Sequence, residues 1–139
     1  TALLLNSSLT RLKDCMPMAG NTLDAMSETQ KEKLDAFRVR FGDLQDLLGG
    51  KVWRSLLAAE QEKADTQLDV LNQAEKRRLI SVDRWITLRA LRNSFAHDYP
   101  EHEIERTDAL NQAYARAGEL LEALNLTIAY ARNKLSVTI

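Results

Sequence analysis

Arg92, Asn93, His97 and Tyr99 lie close together in the segment Arg92-Asn93-Ser94-Phe95-Ala96-His97-Asp98-Tyr99, and their types and spacing can do chemistry. An imidazole serves as general base or acid near neutral pH. A guanidinium grips a phosphate through paired hydrogen bonds and offsets negative charge that develops in a transition state. An Asn amide orients either group. Together they suit cleavage of RNA without a metal: the ribose 2′-hydroxyl is the nucleophile, and the protein need only move protons and stabilise charge. DNA lacks that hydroxyl and would resist. An Arg and a His at this spacing are common, so the pair alone also reads as structural or solvent-exposed. The four-residue pattern is rarer by roughly a few hundred-fold, taking about one in twenty per fixed position.

The element that positions these residues is a helix beginning near Ser81. At about 100° per residue, Leu88, Leu91 and Phe95 fall within roughly 60° and predict a buried stripe. Arg89, Arg92, Asn93 and His97 occupy an arc of about 140° on the other side. Pro100 disfavours helical geometry at the preceding residue, so the helix is expected to end near Tyr99. Arg92 and His97 are themselves about 140° apart, and so flank a groove more readily than they touch. A second copy of the face across a two-fold axis would complete such a groove. Arg89 shares the stripe of Asn93 and His97 and is a candidate for RNA phosphate binding; pairing with a surface carboxylate is the alternative.

The chain has 139 residues, long enough for one domain (1–139) with its own core. It is 45% hydrophobic and 28% charged, ordinary for a soluble protein. Five Gly and two Pro leave little room for long loops, and strong helix formers dominate, which predicts an all-α fold. A net charge of −1 argues against nucleic-acid binding by bulk attraction. Locally, Lys76, Arg77, Arg78, Arg84, Arg89 and Arg92 face only Asp83, enough for a phosphate patch if folding gathers them. The plain alternative is a solvated helix surface. One Cys and no signal-peptide pattern point to a reducing cytoplasm, and Leu3-Leu4-Leu5 is far too short to span a membrane.

In chain order, Leu5, Leu9, Leu12, Met16, Ala19, Leu23 and Met26 predict a first helix from about Leu3 to Met26, either kinked at Pro17 or divided there into two shorter helices. Ser27 and Gln30 form a capping box opening a second helix with Leu34, Phe37, Phe41, Leu44 and Leu48 inward, and Gly49-Gly50 is the expected stop. A short helix over about Lys51 to Glu60 follows, then one from Thr66 to Leu79 carrying Leu68, Leu71 and Ala74. Ser81 caps the central helix. The acids Glu101, Glu103 and Glu105 open a last helix running to about Leu135, with Ile104, Leu110, Ala113, Tyr114, Ala117, Leu120, Leu121, Leu124, Ile128, Ala131 and Leu135 inward. The expected architecture is a bundle of four longer helices plus one short one.

Other constellations are weaker. His97 and His102 with Glu101 and Glu103 suggest a metal cluster only by composition; the spacing straddles Pro100 and matches no standard ligand motif, so no metal or other cofactor is expected. Cys15 has no activating neighbour in sequence, and Trp53 and Trp85 read as core or interface anchors. Gly49-Gly50-Lys51 lacks the spacing and preceding strand of a phosphate loop.

The segment from Arg92 to Tyr99 resembles the R-x4-H-x-Y signature of the HEPN superfamily, closest to HepT-like toxins paired with MNT-type nucleotidyltransferase antitoxins. The stretches LRALRNSFAHDYP, LDVLNQAEKRRLI and RVRFGDLQDLLG are also similar, so the resemblance covers roughly residues 35–135, and no motif position departs from the pattern. It implies an up-down helical bundle and a homodimer with the motif helices facing across the interface. It also implies a metal-independent endoribonuclease toxin, with Arg92 and His97 catalytic and Asn93 in support. Tyr99 matches the position that the nucleotidyltransferase modifies with AMP, which would add bulk and negative charge beside His97. The alternative is a non-catalytic partner subunit that binds a nucleotidyltransferase and presents it with a substrate.

Overall fold

The computed structural model describes residues 1–19, 26–96 and 103–135. Every regular element among them is helical: α1 (Ala2–Arg11), α2 (Glu28–Leu47), a π-helical turn (Leu48–Val52), α3 (Trp53–Ala59), α4 (Gln67–Lys76), α5 (Val82–Ala96) and α6 (Glu103–Leu135). None of these helices is long and apolar enough to cross a membrane.

The starts follow local chemistry. The Ser27 N–H donates to Gln30 Oε1 at 3.1 Å, and the Gln30 N–H donates to Ser27 Oγ at 3.2 Å, the reciprocal box expected for α2. Thr66 and Asp69 form a second box at α4. The backbone N–H of Thr66 holds the Asp69 carboxyl below its usual range. Ser81 Oγ accepts from the Arg84 N–H at 3.1 Å and caps α5 as expected.

Two expectations about the helices are corrected. The first helix ends at Arg11 and gives way to a turn over 12–15; the carbonyl and amide of Met18 beyond it are held by the Asn111 amide at 2.8 and 2.7 Å. Leu23 lies outside the described residues. Gly49-Gly50 does not stop α2. A helix-ending glycine needs positive φ, and no described glycine has it. The chain passes through the π-turn straight into α3, and helical geometry continues from α2 to Ala59. The described residues therefore form five helical segments, and the short helix expected over about Lys51 to Glu60 is continuous with α2 through the π-turn.

Contacts group the described residues of Thr1–Leu44 with Leu88–Ala117, and those of Gln45–Thr87 with Gly118–Ile139, into two compact units. In the first, Leu5, Leu12, Leu34, Phe37, Phe41, Leu44, Leu88 and Leu110 are buried. Each such side chain contributes about 1.5–3 kcal/mol. Phe37 meets Phe41 and the Tyr114 ring at centroid distances of 5.8 and 6.2 Å, and the Tyr114 hydroxyl donates to the Leu9 carbonyl at 3.0 Å. In the second, Trp53 and Trp85 meet in a tilted pair, centroids 4.9 Å apart and planes at 57°, and the Trp53 indole N–H donates to Thr127 Oγ1 at 3.1 Å. Both tryptophans are core anchors. Leu68 and Ile104, expected inward, are 56% and 71% exposed. Leu71 and Ala74 on α4, and Leu110, Ala113, Ala117, Leu120 and Ala131 on α6, are buried as expected, so the departure lies at the first apolar position of each stripe.

The second unit is tied by Glu60, Arg77 and Tyr130. Arg77 Nε donates to Glu60 Oε1 at 3.0 Å, and the Tyr130 hydroxyl lies 2.9 Å from both carboxylate oxygens. Burial alone would raise the Glu60 pKa. The hydrogen bonds from Arg77 and Tyr130, with the charges of Arg77 and Lys134, outweigh it and hold the carboxyl below its ordinary value of 4.5.

Two outcomes follow. An added Cβ at Gly49 would lie 2.8 Å from the buried Trp85 ring, whereas at Gly50 it would meet nothing within 4 Å. Gly49→Ala should destabilise by about 1–3 kcal/mol through overpacking. Gly50→Ala should be neutral or stabilising by up to about 1 kcal/mol, read in paired urea melts. Stability contributed by Glu60 is present above its ordinary value and lost as pH falls through the depressed folded value. Glu60→Gln should therefore cost about 1–3 kcal/mol at pH 7 and flatten the acid limb of stability against pH; an unchanged acid limb would show that Glu60 does not carry it.

Candidate functional site

The predicted stripe of α5 is buried at Leu88 and Leu91, while Arg89 and Asn93 are exposed. The side chain of Phe95 lies outside the described residues, as do His97, Asp98 and Tyr99. The described part of the site is thus Arg89, Arg92 and Asn93.

Arg92 is half-buried, which departs from the expectation that it points away from the core. It follows Leu88 by one helical turn and so borders the buried stripe. Its guanidinium lies on α2 at Gly42. A Cβ built on that glycine would sit 2.8 Å from Arg92 Nε, 2.9 Å from Cζ and 3.0 Å from Nη2. The glycine leaves room for a flat cation against the helix backbone. Gly42 was not singled out from sequence; its signal was an isolated glycine inside a strong helical pattern, which marks a close approach.

Beyond Arg92 the face is solvent-facing. Arg89, Ala90, Asn93 and Ser94 are exposed, and Ile86, one turn before Arg89 and Ala90, is 54% exposed. The polar arc therefore carries an apolar residue within it.

The basic run from Lys76 to Arg92 is not gathered into one patch. Arg77 is bound to Glu60, and Arg84 Nε pairs with Glu119 at 2.8 Å. Among the described residues no three His, Cys, Asp or Glu side chains come together to hold a metal; Glu101, His97 and His102 lie outside them. Cys15 is a free, half-buried thiol that accepts a contact from Gln30 Nε2 at 3.7 Å.

The chain matches no family model, no curated protein and no solved structure.

Gly42→Ala is the substitution that isolates the Arg92 contact. The new methyl meets the far end of a flexible side chain, so the helix survives and gains up to about 1 kcal/mol of propensity. The guanidinium must move. The expected result is an unchanged or higher Tm together with a shifted Arg92 Nε–H resonance. Any activity that depends on Arg92 should fall about 10–100-fold, the usual scale for a group displaced by an ångström. An unmoved resonance would contradict the contact.

Proposed function

We propose that the chain is a metal-independent endoribonuclease of the HEPN toxin type, working in the cytoplasm as a homodimer and restrained by an MNT-type nucleotidyltransferase partner. The observation that carries the reading is the Arg92, Asn93, His97, Tyr99 pattern in a wholly helical chain. The half-buried Arg92 lying on Gly42, beside an exposed Asn93, supports it: an oriented cation and a solvent-facing amide occupy neighbouring positions. The exposed Ile86 among the polar residues of α5 favours a face that a second copy covers.

In the proposed reaction His97 takes the proton of the ribose 2′-hydroxyl as that oxygen attacks the adjacent phosphorus. The bond from phosphorus to the 5′-oxygen breaks, and the leaving oxygen acquires a proton. Arg92 binds the non-bridging oxygens, whose charge grows in the transition state, and Asn93 orients them; Arg89 holds a flanking phosphate. The products are a 2′,3′-cyclic phosphate and a 5′-hydroxyl. An AMP group on Tyr99 would bring negative charge to the same helix end and repel RNA.

The test is an RNA-cleavage assay on purified protein in excess EDTA. Wild type should cut RNA and leave DNA of the same sequence intact. Arg92→Ala and His97→Ala should each lose about 100-fold or more while retaining the helical circular-dichroism spectrum. Absence of cleavage by wild type, with Tyr99 shown unmodified by mass spectrometry, would replace this reading with that of a non-catalytic nucleotidyltransferase-binding subunit.

A further inference from the structure

On another side of α2 lies a groove of about 200 Å³ between α1 and α2, lined by Arg11, Lys33 and Arg40 with Ser8, Thr29 and Glu32. Arg40 and Gly42 are about 200° apart around the helix, so this groove and the Arg92 contact use opposite faces of α2. We propose that the groove binds phosphate groups, carried either on a nucleic-acid strand or as free polyphosphate.

The argument begins with Arg40. It is half-buried, and its Nη1 donates to Ser8 Oγ at 2.7 Å and to the Leu4 carbonyl at 3.2 Å. Ser8 is itself buried. The guanidinium is therefore held in place by neutral oxygens. These bonds use one nitrogen of the fork, and among the described residues no bond from Nε or Nη2 is seen, which suits them to a ligand. Among the described residues, Asp35, Glu60, Asp65 and Glu119 pair with Arg38, Arg77, Lys63 and Arg84, and no ion pair to Arg11, Lys33 or Arg40 is seen.

Three cations thus line the groove against one carboxylate, Glu32, in a chain whose overall balance is acidic. Lys33 and Arg40 recur along one face of α2, and Arg11 ends α1 on the facing side. A single carboxylate ligand would satisfy one guanidinium. Several cations around hydroxyl groups suit the three or more oxygens of a phosphate, which a planar fork and a compact ammonium bind together. Glu32 lowers affinity for the anion and favours a ligand that spans the groove over an ion seated beside it.

The experiment uses the whole chain and two probes at low salt: inorganic tripolyphosphate by calorimetry, and a fluorescent single-stranded DNA by anisotropy. DNA carries the phosphodiester charge but cannot be cut through a 2′-hydroxyl. Failure of the groove and failure of the ribonuclease reading are therefore seen separately. Arg11→Gln/Lys33→Gln leaves the Arg40 anchor intact; Lys63→Gln/Lys76→Gln is the control with the same net charge. The groove variant should bind about tenfold or more weaker than the control. Its salt dependence for the strand should fall by about 1.4 in log–log slope. Loss with the strand assigns the groove to a nucleic-acid backbone, and loss with tripolyphosphate alone assigns it to free phosphates. Equal affinity of groove variant and control for both probes, or no binding of either by wild type at about 1 mM, overturns the proposal.

Discussion

Two large side chains of α5 lie against the segment running from α2 to α3, and both do so where that segment carries a glycine: Trp85 at Gly49 and Arg92 at Gly42. The paired positions are about two turns apart on each helix. Close approach is the constraint on which much else rests. With its ring against Gly49, Trp85 packs at a tilt on Trp53, and Trp53 reaches Thr127, whose hydroxyl donates to the Ala123 carbonyl at 2.7 Å. A side chain at Gly49 would press on the ring that holds this series of contacts. An indole N–H left buried without its acceptor would cost about 1–3 kcal/mol.

That constraint also explains what could be read from the sequence. The box at Ser27 and the cap at Ser81 depend on residues within one turn, so their types and spacing suffice to predict them. The stripe of Leu34, Phe37, Phe41, Leu44 and Leu48 is buried throughout because long apolar runs at helical spacing have one face to bury. Gly49-Gly50 failed as a stop because a glycine is ambiguous: it permits a left-handed turn, and it also permits a neighbour to come close. Which applies depends on what packs there, and that information lies in Trp85, far along the chain. The same limit hid Gly42. In the candidate site, the buried Leu88 and Leu91 and the exposed Arg89 and Asn93 followed from periodicity, whereas the half-burial of Arg92 depended on the missing side chain opposite.

Charge followed a similar logic. The densest basic run in the sequence looked like the natural place for phosphate, yet Arg77 and Arg84 are spent on Glu60 and Glu119. Their partners come from the end of α3 and from α6, which no local reading brings together. Arg11, Lys33 and Arg40 are scattered in sequence between acids, and it is the packing of α1 on α2 that sets them around one groove. Local charge density measured along the chain is therefore a poor guide to charge density in space, because a carboxylate from a distant helix cancels a cation as effectively as an adjacent one.

The two kinds of arginine differ in what they offer a ligand. Arg77 has its Nε on a carboxylate and an Nη on Gln73, so an anion arriving there would have to displace bonds already made. Arg92 lies as a flat group on a stretch of α2 backbone from which the Cβ is missing, so shape contributes to its orientation. Freezing a long side chain costs up to about 1.5–2 kcal/mol of rotamer entropy. When packing against the protein meets that cost during folding, it is not charged again as substrate binds. A cation ordered beforehand stabilises developing charge without having to reorganise, the condition under which such groups contribute most to a reaction. On the proposed ribonuclease reading, the glycine on α2 would have a chemical consequence as well as a steric one, since it leaves the space in which the Arg92 guanidinium lies.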